Sequence, residues 1–81
     1  MGIYIIEDDD TMIEILEDLI EDHEMGEVVG SSTDPSEALL KVPAIQLDIV
    51  LIDFLMPGKD WAQLVRELKE ACCTAKFIMV C

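Results

Sequence analysis

Two hydrophobic periods alternate along this chain, and their alternation restricts its fold more than any other feature. Ile3–Ile6 is a short apolar run rich in β-branched residues. Val28-Val29, Asp48–Ile52 and Phe77–Val80 are three more short apolar runs. Each reads as a strand. Between the first two, Met12, Ile15, Leu16, Leu19 and Ile20 recur at the spacing of one helix face, with Glu14, Glu17, Asp18, Glu21 and Asp22 opposite. Asp9 or Asp10 is placed to cap that helix, and Gly26 breaks the chain after it. Asp34-Pro35-Ser36-Glu37 has a cap acid, Pro at the first helical position and Glu at the third, the pattern of a capping box. The helix it opens stops before Pro43. Trp61, Leu64, Val65 and Leu68 give a third helix at 3.6 spacing.

The order is therefore βαβαβαβ. It implies an α/β domain with a parallel sheet, helices on both faces and right-handed crossovers. The chain has 81 residues, enough for one domain and not two. In open parallel sheets, ligands bind beyond the carboxyl ends of the strands, where strand order reverses. In the flavodoxin-like order 2-1-3-4, that point lies between strands one and three. Strand one ends in Glu7-Asp8, and strand three ends in Asp53, just before Met56-Pro57-Gly58 stops any continuation. These acids are expected to converge in one crevice.

Three crowded carboxylates repel, and at least one is pushed toward its neutral form. A hard divalent cation removes that penalty. Mg²⁺ takes oxygen ligands in near-octahedral geometry and keeps several waters, and Mn²⁺ is the closest substitute. The charge balance points the same way. The net charge is −13, and residues 1–40 hold thirteen acids and no Lys or Arg. Such a surface repels nucleic-acid phosphates and anionic lipid heads, and attracts cations or a basic partner. No apolar run approaches the roughly 20 residues that span a bilayer. Cys72, Cys73 and Cys81 make no disulfide framework, and with no secretory signal at Met1 a cytoplasmic location is expected.

At the acidic residues the chain resembles the receiver domains of two-component response regulators. The matching pieces are IYIIEDDDTM, LDIVLIDFLMP and KFIMVC, with GEVVGSSTDPSEAL between them. The resemblance implies roles. Asp53 accepts a phosphoryl group from a phosphohistidine of a sensor histidine kinase or phosphotransfer protein. Asp8 binds Mg²⁺ directly, Glu7 binds it through water, and the backbone carbonyl of Leu55 is a further ligand. Cys81 falls where the family has a switch Ser or Thr. The domain is then a phosphoacceptor and not an enzyme.

Two departures qualify those roles. A thiol at Cys81 is a weaker donor than a hydroxyl. The residues end at strand four, before the fifth strand that carries the family's Lys, and Lys59 and Lys76 are not placed to replace it. Residues 1–81 are thus expected to form a single, incomplete receiver domain that labels slowly. The other readings are a degenerate receiver serving only as an interaction module, and an Mg²⁺-dependent aspartyl phosphohydrolase. Against the latter, Asp8-x-Asp10 is followed by Met12 where such enzymes have Thr or Val. Phe77–Val80 is apolar on both faces, so a homo-oligomer through the strand-four edge, residues 76–81, is expected.

Overall fold

The computed structural model describes residues 1–53, 61–71 and 74–80. The four apolar runs are strands β1 (Gly2–Ile6), β2 (Glu27–Ser32), β3 (Ile49–Asp53) and β4 (Lys76–Val80). They pair in parallel in the order β2-β1-β3-β4, the flavodoxin-like arrangement. Helices α1 (Asp10–Asp22), α2 (Pro35–Lys41) and α3 (Trp61–Ala71) connect them, with a short 3₁₀ turn at Val42–Ala44 after α2. β2 is longer than the Val28-Val29 pair suggested, because Gly30, Ser31 and Ser32 continue the pairing with β1 although their composition is turn-like.

Strand alternation divides the core into two layers. Tyr4, Ile6, Val50 and Ile52 pack with Ala38, Val42, Leu47, Leu64 and Leu68 on the α2 and α3 side. Ile3 and Ile5 pack with Ile13 and Ile20 on the α1 side. Each fully buried aliphatic side chain in these layers, Ile6 and Leu68 among them, contributes roughly 1.5–3 kcal/mol.

The buried face of α1 differs from the expected stripe. Ile13 and Ile20 are buried and Leu16 is half-buried, whereas Met12, Ile15 and Leu19 are exposed. The apolar residues cover more of α1 than the sheet can cover. The docked face is centred on 13, 16 and 20, which have the same i, i+3, i+7 spacing as the exposed set 12, 15 and 19.

The helix ends follow local chemistry. Asp9 is the N-cap of α1, its Oδ1 accepting from Thr11 N–H at 2.9 Å. Asp34 caps α2 in the same way through Ser36 N–H at 2.8 Å, with Pro35 in the first turn. Glu37 does not complete a capping box. Its Oε1 instead accepts from Lys41 Nζ at 2.5 Å, one turn along the helix. Helix α1 ends in a Schellman motif: Met25 N–H donates to Ile20 O and Glu24 N–H to Glu21 O. Glu24 sits at φ 51°, the left-handed position that favours glycine. His23 is the exposed C-cap and Asp48 precedes β3. Asp48 stitches the amino ends of three strands: Gly2 N–H donates to its Oδ2 at 2.7 Å, its N–H to Gly2 O at 2.9 Å, and Lys76 N–H to its O at 2.8 Å.

Among the described residues, no helix is long and apolar enough to cross a membrane. The expectations for Leu55, Lys59, Cys72, Cys73 and Cys81, and for the side chain of Trp61, fall outside the described residues.

Candidate metal centre

β1 and β3 run side by side in unbroken register, from Ile3 opposite Ile49 to Ile6 opposite Ile52. One step further along each strand stand Glu7 and Asp53. By strand parity both continue the rows Ile3-Ile5 and Ile49-Leu51, on the α1 side of the sheet. Glu7 still belongs to the ladder, since its N–H donates to Ser32 O of β2 at 3.0 Å. After it the chain leaves the sheet and turns into α1 through Asp8 and the cap Asp9. Glu7 Oε1 accepts from Asp9 N–H at 3.2 Å, which ties the acid to the helix entry.

The result is a cluster of Glu7, Asp8 and Asp53 in which one carboxylate oxygen from each residue lies within 4.8 Å of the other two. Glu7 is buried, Asp53 half-buried and Asp8 exposed, so the cluster opens from the sheet toward solvent. The Glu7 carboxyl is pushed up to about 7. Burial is the main cause, followed by hydrogen bonds with the carboxyls of Asp8 and Asp53; the Asp9 N–H acts in the opposite sense. Crowding with like charges and burial thus both favour the protonated form of Glu7.

The donor set fits Mg²⁺. The three groups that converge all offer hard carboxylate oxygens, the ligand type this ion takes. The graded exposure leaves one side for waters or a further oxygen ligand. The sequence-expected acids Glu7, Asp8 and Asp53 are therefore together, while Leu55 and Cys81 lie outside the described residues.

Ser32 and Tyr4 were not among the expected site residues. Ser32 ends β2, is buried, and supplies the carbonyl that receives Glu7 N–H. Its hydroxyl is hydrogen-bonded to that of the fully buried Tyr4. A polar Tyr inside the apolar run of β1 was the available signal, since a buried phenol needs a partner.

A family model described as response regulator receiver domain matches residues 3–81. Transcriptional regulatory protein GlnL of Bacillus subtilis (strain 168) is 35% identical over 83 residues, covering 99% of this chain and 26% of its own length. DesR, a transcriptional regulatory protein of the same organism, is 33% identical over 73 residues, covering 90% of this chain and 37% of its own length. The chain thus spans between a quarter and two-fifths of these relatives. Among solved structures, a chain of the complex between the P1 domain of CheA3 and CheY6 from R. sphaeroides superposes with a TM-score of 0.81 at 28% identity, over 96% of this chain and 60% of that one. The response regulator domain of Thermotoga maritima CheB gives a TM-score of 0.82 at 23% identity, over 98% and 58%, a likeness of fold. With its sheet order, its acidic crest and a family match over nearly its whole length, the chain belongs to the response regulator receiver domains of two-component systems.

Proposed function

We propose that this domain accepts a phosphoryl group on Asp53 from a phosphohistidine, with Mg²⁺ held by Glu7, Asp8 and Asp53. The observation that carries the reading is the convergence of these three carboxylates at the carboxyl ends of β1 and β3. In the transfer, an Asp53 oxygen bonds to phosphorus as the bond from phosphorus to the histidine nitrogen breaks, and that nitrogen keeps the electron pair. A bound Mg²⁺ supplies neutralisation of the phosphoryl oxygens' charge. Asp8, the exposed member, is the direct ligand from strand one. Glu7, buried and anchored to Asp9 N–H, holds a ligand water. By the family resemblance, the backbone carbonyl of Leu55 would be a further ligand and Cys81 would take the switch Ser or Thr position.

The donor is a sensor histidine kinase or a phosphotransfer protein. A similar fold in the CheA3–CheY6 complex supports this. Residues 1–81 act as a phosphoacceptor module rather than an enzyme, in the cytoplasm, and with a net charge of −13 they do not themselves contact nucleic acid. Incubation with acetyl phosphate and Mg²⁺, followed by peptide mass spectrometry, tests the reading. Label on Asp53 that disappears in Asp53→Asn is expected. Absence of label in wild type under conditions that label another receiver, with no phosphate released from acetyl phosphate, would leave the interaction-module reading.

A further inference from the structure

β2 is an edge strand of the described sheet, and its pairing with β1 is irregular. Ile3 pairs with Val28 but Tyr4 pairs with Gly30, so Val29 is an extra residue on β2. Beyond this bulge the register resumes through Ile5–Ser31 and Ile6–Ser32. That resumed register delivers the Ser32 carbonyl to Glu7 N–H. Glu7 lies past the last β1–β3 pair, so the contact with Ser32 is what holds its main chain in the ladder.

Two features pin the register there. The Tyr4 ring lies over Gly30: a Cβ at Gly30 would stand 2.8 Å from Tyr4 Cε2 and 3.1 Å from Cδ2. Only glycine leaves room for the ring at this pair. From that position the Tyr4 hydroxyl reaches two pairs further along the sheet, to the Ser32 hydroxyl. Both residues are buried, at 0% and 3% exposure, so a slip of β2 by one residue would strand two hydroxyls in the core. Such a slip would also drive a Cβ into the ring.

We propose that Tyr4, Gly30 and Ser32 form a register lock that positions Glu7 in the acidic cluster, with Tyr4 and Ser32 as positioning residues of the metal centre. The inference rests on the metal-centre reading above. Partners behind a ligand commonly set its affinity although they never touch the ion.

The test compares wild type with Tyr4→Phe, Ser32→Ala and the double variant. It reads Mg²⁺ affinity by titration, the exchange rate of the Glu7 amide by NMR, and stability by urea unfolding. Each single variant leaves one buried hydroxyl unpaired, so both lose stability. The double variant removes both hydroxyls and recovers most of that stability. The lock predicts a different pattern for the site: roughly tenfold weaker Mg²⁺ binding in both single variants and in the double, with faster Glu7 amide exchange in all three. Mg²⁺ affinity that recovers with stability in the double variant, or an unchanged Glu7 amide, overturns the lock. Failure of wild type to bind Mg²⁺ while its Glu7 amide is protected overturns the metal-centre reading, and the positioning role with it.

Discussion

At the scale of single residues, burial and charge conflict most at Glu7. Its carboxyl is raised from the ordinary 4.5 to about 7, so between those values the folded chain holds a proton that the unfolded chain releases. Raising pH through that window therefore costs stability, and the loss is complete above the folded value. Urea unfolding in a chelator is expected to show stability falling from about pH 5 to about pH 8, with Glu7→Gln flattening the fall. Mg²⁺ needs the ionised carboxylates, so adding it should restore stability at the alkaline end and release protons. An equally steep fall in Glu7→Gln would place the effect elsewhere among the acids. A second residue-scale prediction concerns Glu24, a non-glycine residue at φ 51° beside an already acidic helix end. Glu24→Gly should raise stability by roughly 0.5–1 kcal/mol, since it relieves the left-handed backbone and removes a negative charge from the helix C-terminus. A lowered unfolding midpoint would mean that the side chain contributes something the exposed position does not suggest.

At the scale of elements, α1 separates helical periodicity from helical docking. Met12, Ile15 and Leu19 have the right spacing for a buried face, yet Ile13, Leu16 and Ile20 face the sheet. Ile13→Ala is expected to cost about 2–4 kcal/mol in thermal or urea unfolding, and Ile15→Ala well under 1 kcal/mol. Reversed magnitudes would mean that α1 is rotated on the sheet. The helix itself was legible in the sequence because apolar residues recur with its period. Its orientation was not, because two apolar stripes compete and only the sheet decides between them. The meeting of Glu7, Asp8 and Asp53 was legible for a different reason: strand order and parity bring the ends of β1 and β3 together whatever the side-chain packing. The bulge at Val29 and the pairing of Tyr4 with Ser32 were not, since cross-strand register leaves no period in either strand alone.

At the scale of the whole molecule, the charge is concentrated in residues 1–40, on the segment that carries α1 and two of the three site acids. Opposite that segment in the sheet order is β4, which has a neighbour on one side only among the described strands, with Ile78 and Met79 exposed. The 81-residue chain is expected to self-associate through this edge. Light scattering at micromolar concentration should report a dimer or larger species that Ile78→Lys dissociates, whereas a monomer before any substitution would rule the association out. Charge, fold and family membership meet at the three carboxylates, and the most direct measurement is a Mg²⁺ titration followed by the NMR signals of Glu7, Asp8 and Asp53. Saturable shifts at all three, lost together in Asp8→Ala, are the predicted result. Shifts spread evenly over the acids of α1, with the three site residues unmoved or Asp8→Ala indistinguishable from wild type, would contradict a metal centre at the ends of β1 and β3.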